Sequence, residues 1–394
     1  MLAAGIICEY NPLHYGHLHL LEEARRRLGP ECAAVCVMSG NFVQRGDFAI
    51  VDKFARAGAA VRSGADLVLE LPLPWAAASA EGFAAGAVKT LKATGLVTHL
   101  VFGSEGGDAA PLVRLAEALS SDAFGPALRE ELKKGDSFPA ARQRAVSALL
   151  SPEEAAPLAY PNDLLAVEYC KALAGSGIVP VAVPRRGGGH DGPHADGFSA
   201  SAIRRLLRRG ETDTALALCA PAMADALRSE IRAGRAPVLW ETAERAVLAR
   251  LRFMDEADFA ALDPGHEGLY RRLFRASRTA SSLPRLLEEA RTKRYPLARL
   301  RRMVLWAYLG LSPAPPERPA YLRPLAMNAR GRALLAQMRQ TASLPILTKP
   351  AAVRRLSPEA RALFETEARA SGLYALAFPV PAPGDEWRRG PVLI

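Results

Sequence analysis

Two kinds of hydrophobic pattern follow each other in turn along the first two hundred positions. Short, continuous apolar runs predict buried strands at residues 4–8, 34–38, 66–71, 100–103 and 178–183. Between them, apolar residues recur at helical spacing and predict helices at residues 16–28, 52–63, 78–94 and 161–173. Alternation of strand and helix is typical of βαβ units. We therefore expect an α/β fold with a doubly wound, parallel five-stranded sheet of the Rossmann type.

The pattern changes near residue 210. Beyond it the strand signals fade, and amphipathic helices are predicted at residues 245–251, 269–278, 297–309 and 331–338. Just before the change, five glycines within residues 185–197 predict a mobile loop, and Ser199 then opens a helix as a hydroxyl cap. These signals predict two domains, an α/β domain at residues 1–210 and a mainly α-helical domain at residues 211–394.

Charge separates the two halves of the chain. Residues 1–199 hold 18 basic and 22 acidic residues, whereas residues 200–394 hold 33 basic and 19 acidic residues, and 31 of those 33 are arginine. The guanidinium group suits bidentate contacts with phosphate, so the second half is expected to face nucleic acid. A GC-rich genome also enriches arginine and alanine, but that bias should act on both halves.

Overall composition excludes several classes of protein. The 394 residues are 49% hydrophobic and 23% charged, which is ordinary for a globular protein. The longest apolar stretch, residues 67–88, is interrupted by charged residues and prolines, so no membrane span is expected. The first residues lack the pattern of a secretory signal, and five cysteines without paired spacing do not indicate disulfides. We therefore expect a cytoplasmic protein.

A His-x-Gly-His element, from His14 to His17, lies in the predicted turn between the first strand and the first helix. Ligands of open parallel sheets bind at this edge, where the N–H groups of a helix amino terminus attract anions. Gly16 permits close approach of a nucleotide, and the two imidazoles can donate hydrogen bonds to phosphate oxygens. The alternatives are capping or incidental surface histidines. A zinc site is disfavoured because His19 faces another side of the helix.

This turn resembles that of the HxGH nucleotidyltransferase superfamily. Further motifs are similar to those of the bacterial tRNA(Met) cytidine acetate ligase family: residues 38–46 (MSGNFVQRG), 52–53 (DK), 69–72 (LELP), 102–105 (FGSE) and 161–163 (PND). The family's usual turn reads NPFHNGH, and this chain has Leu13 and Tyr15 at the variable places. The resemblance implies that acetate and ATP form acetyl-adenylate with release of pyrophosphate. The acetyl group then passes to N4 of the wobble cytidine of elongator tRNA(Met), giving N4-acetylcytidine.

The resemblance also implies the site residues. His14 and His17 are expected to be catalytic at the phosphates, within an ATP site formed by Ile7, Cys8, Glu9, Tyr10, Asn11, Pro12, Leu13, His14, Tyr15, Gly16, His17, Leu18, His19, Leu20, Gly103, Asn162, Arg185 and Arg186. Asn162 could instead be a plain helix cap, and Arg185 and Arg186 could be solvated surface charges. Mg²⁺ is expected with the ATP, and no protein ligand is assigned to it.

A later Ser-x-Ser-x-Ile-Arg element resembles one found in many of these nucleotidyltransferase domains. Its members Ser199, Ser201 and Arg204 could hold the outer phosphates of ATP, or could serve for capping alone. The sequence has no Lys-Met-Ser-Lys-Ser motif, which argues against a class I aminoacyl-tRNA synthetase. Ser39, Asn41, Gln44 and Arg45 follow the second predicted strand at the same edge, where polar groups could orient a small carboxylate.

Three functions remain open at this stage. The first is the acetate ligase, with elongator tRNA(Met) and acetate as partners and the arginine-rich half holding the tRNA. The second is an adenylyltransferase that acts on a small-molecule cofactor precursor. The third is a non-catalytic RNA-binding protein regulated by a nucleotide. No protein partner or membrane partner is evident from the sequence.

Overall fold

The structure of the protein, a computed structural model, describes residues 2–135, 137–185, 199–263, 268–292 and 295–394. Its strands, numbered β1 to β9 in chain order, are Ala3–Cys8, Ala33–Ser39, Phe42–Val43, Asp47–Phe48, Leu67–Leu71, His99–Ser104, Val179–Pro184, Pro324–Met327 and Val392–Leu393. Seven of these form one sheet in the order β7-β6-β1-β2-β5-β8-β9, and β3 and β4 form a separate antiparallel hairpin.

The helices of the described residues are numbered α1 to α19. They are Tyr15–Leu28, Lys53–Arg62, Leu73–Ala76, Ala80–Ala93, Ala110–Ser120, Phe124–Lys133, Phe138–Leu149, Pro152–Ala155, Pro161–Leu173, Ala200–Arg208, Thr212–Leu218, Pro221–Arg232, Trp240–Phe253, Glu256–Ala261, Leu269–Thr279, Leu283–Ala290, Leu297–Leu309, Ala329–Thr341 and Pro358–Leu376. None of them is both long and apolar enough to cross a lipid bilayer.

The five predicted strands are all present and parallel, as β7, β6, β1, β2 and β5 in spatial order. This confirms the doubly wound α/β fold. The sheet is nevertheless larger than the five strands predicted, because β8 pairs antiparallel with β5 and β9 pairs parallel with β8. These two strands have four and two residues, too few to show a strand pattern in the sequence. They cover the edge of β5, which would otherwise expose unpaired backbone groups.

The position of β8 and β9 bears on the predicted division at residue 210. The chain after that residue is mostly helical, as expected, but its last part returns to the sheet of the first part. The sheet therefore draws strands from both predicted ranges. A helical core built from α13, α15, α17 and α19 packs against the β3–β4 hairpin, where Phe42 and Phe48 are fully buried.

A buried cluster of charges joins the two halves of the chain. Lys53 Nζ lies 2.5 Å from Glu70 Oε1 and 2.6 Å from Glu386 Oε1, and Arg323 contacts both carboxylates. The hydroxyl of Ser371 donates to Glu386 Oε2 over 2.7 Å. Lys53 of the Asp-Lys motif and Glu70 of the Leu-Glu-Leu-Pro motif therefore help to attach the carboxyl-terminal segment, which carries Glu386.

A sixth member of this cluster predicts how stability depends on pH. Burial, reinforced by the nearby Glu70 carboxylate, raises the pKa of Glu367 to about 8. In the unfolded chain this carboxyl group titrates near pH 4.3. The folded state therefore holds one proton more between these two values, and the Glu367 contribution to stability falls as pH rises through that window. We expect Glu367→Gln to flatten the decline in stability between pH 5.5 and pH 8, measured by urea unfolding, and an unchanged decline would contradict this assignment.

Candidate active site

Contacts with buried side chains hold the loop between β1 and α1 in place. Tyr10 is buried at the base of this loop, with a positive φ of 45°, and its hydroxyl lies 3.6 Å from Cys36 Sγ. The ring of Tyr10 meets the ring of His17 edge-on, with centroids 5.1 Å apart. Ile50 N donates to the side chain of Asn11 over 2.7 Å, which fixes the next residue of the loop.

The two histidines of the His-x-Gly-His element cap α1. Nδ1 of His14 accepts from Gly16 N over 3.1 Å, and Nδ1 of His17 accepts from His14 N over 3.2 Å, which forms a reciprocal capping box. The planes of the two rings are tilted by 33° to each other, with centroids 3.9 Å apart. The capping alternative from the sequence is therefore correct for Nδ1, but it leaves the other ring nitrogen of each histidine available.

This capping determines how the imidazoles can act on a ligand. Burial, with the nearby charges of Arg185 and Arg204, lowers the pKa of His14 to about 4. Burial and the neighbouring His14 ring hold the pKa of His17 well below its usual value. Both rings are thus neutral at pH 7, and because each Nδ1 accepts a hydrogen bond, each Nε2 carries the proton. The site therefore presents two neutral N–H donors, which suits stabilisation of a phosphate.

Both histidines line a cleft at the carboxyl edge of the sheet, which we call the nucleotide cleft. It brings together the turn, the start of α1 and the ends of β6 and β7, lined by His14, Gly16, His17, His19, Leu20, Gly103, Val183, Pro184 and Arg185. Seven of the predicted ATP-site residues therefore meet here. Among the described residues, no group of three or more His, Cys, Asp or Glu side chains is arranged to hold a metal ion.

Arg185 is held across Gly103 by a chain of side chains. A Cβ at Gly103 would lie 3.4 Å from Arg185 Cγ, in ordinary contact. Arg185 Nη1 donates to Asn162 Oδ1 over 3.1 Å, and Asn162 Nδ2 donates to Glu105 Oε1 over 2.6 Å. Asn162 is not the helix cap, because Tyr160 occupies the N-cap position of α9. Glu105 belongs to the Phe-Gly-Ser-Glu motif at residues 102–105, but the sequence gave no reason to assign it this role.

The remaining predicted residues of the turn take different positions. Cys8, Tyr10, Pro12 and Leu13 are buried, whereas Tyr15 is exposed. Three others are partly buried. Ile7 and Leu18 pack against the hydrophobic core. The Glu9 carboxylate accepts a hydrogen bond from Gln44 N over 2.8 Å. Arg186 and the rest of the loop predicted at residues 185–197, apart from Arg185, lie outside the described residues.

The Ser-x-Ser-x-Ile-Arg element begins α10. Ser199 caps the helix by accepting from Ala202 N over 3.1 Å, as predicted. Arg204 donates to Asn11 O over 2.7 Å and to Ser201 Oγ over 3.2 Å, so it ties α10 to the histidine turn. Ser201 and Arg204 line a second cavity beside the nucleotide cleft, with a volume of about 200 Å³. We call it the arginine cavity.

A buried arginine that sequence reasoning missed supports the same edge. The Arg56 guanidinium donates to Glu9 O over 2.5 Å, to Ser39 O over 3.2 Å and to Gly40 O. These carbonyls follow or end β1 and β2, which carry the predicted ligand-binding loops. The only sequence signal was an arginine within the buried stretch of the predicted helix at residues 52–63.

Arg45 lies in the turn of the β3–β4 hairpin and lines the arginine cavity. The next residue, Gly46, lies in close contact with the backbone of α17. Gly46 has a φ of +72°, and a Cβ there would lie 2.4 Å from the backbone nitrogen of Arg302 in α17. We expect Gly46→Ala to be more destabilising than Gly175→Ala by about 1–3 kcal/mol. Gly175 is the matched control, since its φ of +67° gives similar strain with nothing within 4 Å. Equal losses in urea unfolding would show that the hairpin accommodates the extra methyl group.

The family model of the HIGH nucleotidyl transferases matches residues 1–386. The chain belongs to the HIGH nucleotidyl transferase family. Within this family, the curated tRNA(Met) cytidine acetate ligase of Acetivibrio thermocellus is 36% identical over 97% of this chain and 96% of its own length. The enzyme of that name from Thermotoga maritima is 37% identical over 94% of each chain.

Solved structures agree with this membership of the HIGH nucleotidyl transferase family. The crystal structure of Thermotoga maritima TmcAL bound with alpha-thio ATP covers all of both chains, with a TM-score of 0.94 and 34% sequence identity. The apo form I of the same protein gives a TM-score of 0.95. The helical part and the two added strands therefore belong to the shared fold along with the α/β part.

Proposed function

We propose that the protein is an ATP-dependent tRNA(Met) cytidine acetate ligase. It would join acetate to ATP as acetyl-adenylate and transfer the acetyl group to N4 of the wobble cytidine of elongator tRNA(Met). The observation that carries this proposal is the match along the whole chain to relatives of that name, one solved with an ATP analogue. The described turn, with two neutral imidazole donors beside Arg185, offers the chemistry that such a reaction needs.

The first step would take place at the nucleotide cleft. An acetate oxygen attacks the α-phosphorus of ATP, the bond to the bridging oxygen breaks, and pyrophosphate leaves. The protein contributes alignment and charge stabilisation, because phosphoryl-type transfer needs little covalent assistance. We assign the Nε2–H groups of His14 and His17 and the Arg185 guanidinium to the phosphates. Mg²⁺ would accompany the ATP and neutralise charge on its phosphates, and no side chain of the described residues is assigned to hold it.

The second step would acetylate the RNA. The N4 amino group of cytidine attacks the acetyl carbonyl, AMP leaves with the electrons of the broken C–O bond, and the amine releases a proton. This requires the cytidine to be splayed out of the anticodon loop, as is common in sequence-specific RNA recognition. The excess of arginine after residue 200 would hold the surrounding phosphates. We place this reaction in the cytoplasm.

Acetate-dependent exchange of labelled pyrophosphate into ATP tests the first step without RNA. We expect exchange with acetate, none without it, and AMP rather than ADP as the product when tRNA is added. Formation of ADP would move the attack to the γ-phosphate and contradict the proposal. Exchange with a cofactor precursor in place of acetate would indicate a small-molecule adenylyltransferase, and absence of any exchange would indicate a nucleotide-regulated binding protein.

A further inference from the structure

The arginine cavity opens beside a larger one, which we call the tryptophan pocket. It has a volume of about 530 Å³ and lies between α13, α16 and α17. Arg208 and Arg301 line both cavities, so the two adjoin each other. The arginine cavity in turn shares Asn11 with the histidine turn. The tryptophan pocket therefore adjoins the arginine cavity, and the arginine cavity borders the loop that carries the two histidines.

The arginine cavity carries more positive than negative charge. Five arginines line it, together with only two carboxylates, those of Glu9 and Asp47. Arg208 is within 3.7 Å of Asp47 and 3.4 Å of Glu241. Nε of Arg204 and Nε of Arg301 are buried without a hydrogen-bond partner among the described residues. Buried donors of this kind are costly unless a ligand satisfies them, and an excess of guanidinium groups favours phosphate.

The tryptophan pocket has a different chemistry. Trp240 packs edge-on against Phe48, with ring centroids 5.0 Å apart, and its indole Nε1 is buried without a hydrogen-bond partner in the described chain. Leu283 and Val304 add apolar wall, and the carboxylates of Glu241, Glu244 and Glu288 also line the pocket. The volume lies within the range of small-ligand sites, about 300–1,000 Å³. An aromatic face beside polar groups suits a flat ring that carries hydrogen-bonding edges, such as a nucleobase.

We propose that these two cavities hold one nucleotide of the tRNA next to the cytidine that is modified. Its base occupies the tryptophan pocket against Trp240, and its phosphate lies between Arg208 and Arg301. The assignment rests on the proposed function, because an RNA strand whose cytidine enters the active site must continue along the adjoining surface. The shared arginines lie between the base pocket and the arginine cavity, which is where a backbone phosphate belongs.

Variants of Trp240 and Arg301 test this assignment in the full-length protein. The probe is an elongator tRNA(Met) transcript, and the readouts are KM for tRNA in acetyl transfer and the rate of acetate-dependent pyrophosphate exchange. Loss of base stacking costs about 1–3 kcal/mol, so Trp240→Leu should raise KM for tRNA about 5- to 160-fold. Trp240→Phe keeps an aromatic face and should change it much less. Arg301→Gln should raise KM for tRNA by about tenfold. The matched control is Arg332→Gln, which should leave KM for tRNA unchanged because Arg332 is exposed and lines neither cavity.

Pyrophosphate exchange separates this inference from the proposed function. Normal exchange with a raised KM for tRNA in Trp240→Leu and Arg301→Gln supports the nucleotide site. Normal exchange with an unchanged KM for tRNA in both variants overturns it and leaves the ligase assignment intact. A change in KM for ATP in Arg301→Gln, with KM for tRNA unchanged, also overturns it by assigning the phosphate to ATP. Absence of exchange in the wild-type protein would contradict the proposed function itself.

Discussion

Replacing His14 by asparagine is expected to slow acetate-dependent pyrophosphate exchange by about 10²–10³-fold, the usual effect of removing one preorganised donor. The side-chain oxygen of asparagine can still accept the bond from Gly16 N that caps α1, but the Nε2–H donor is lost. Stability should therefore stay close to that of the wild-type protein. His14→Ala removes the cap as well and is expected to lose about 1 kcal/mol of stability in addition to activity.

The pair of variants at His14 separates catalysis from capping. His99→Asn provides the matched control, because His99 lies at the start of β6, with Nδ1 2.8 Å from the Thr98 hydroxyl, and does not line the nucleotide cleft. Exchange rates and thermal unfolding should be measured on all three proteins. An active His14→Asn variant would show that this imidazole serves only as a cap and that other groups hold the phosphates.

Replacing Lys53 by methionine is expected to destabilise the protein by about 3–5 kcal/mol, the range for breaking a buried ion pair. The change leaves Glu70 and Glu386 buried with Arg323 as their remaining cation. Each carboxylate keeps its cost of desolvation but loses its contact with the ammonium group. Urea unfolding at pH 7 measures the effect as a lower midpoint.

The matched control for Lys53 is Lys133→Met. Lys133 pairs with Glu130 at 2.6 Å on the exposed face of α6, and such pairs contribute little to stability. We expect a change below about 0.5 kcal/mol for this variant. Equal effects of the two substitutions would mean that the buried cluster does not hold the carboxyl-terminal segment, as would a fully stable Lys53→Met protein.

The strands and helices that the sequence predicted well are those with a long, regular pattern. The helix predicted at residues 297–309 has these bounds in the structure, and all five main strands were located, because each buried strand is a clear apolar run. Strands β8 and β9 could not be predicted this way. Strand β8 depends on pairing with β5, which is more than 250 residues away along the chain, and β9 in turn depends on pairing with β8.

The candidate site shows the same limit at the level of side chains. The histidine turn was predictable because the motif, the strand before it and the helix after it are contiguous in sequence. The roles of Glu105, Asn162 and Arg185 depend on contacts between separate strands and helices. Arg56 is a further example, since only the fold shows that it binds the carbonyls at the ends of β1 and β2.

Incubation of the purified protein with labelled acetate, ATP and total tRNA tests the central claim most directly. The labelled RNA is digested to nucleosides, and the modified nucleoside is identified and mapped to its tRNA. The account predicts label in N4-acetylcytidine at the wobble position of elongator tRNA(Met), dependent on ATP and strongly reduced in the His14→Asn variant. Label in another nucleoside or another tRNA, or no transfer to RNA while pyrophosphate exchange proceeds, would contradict it.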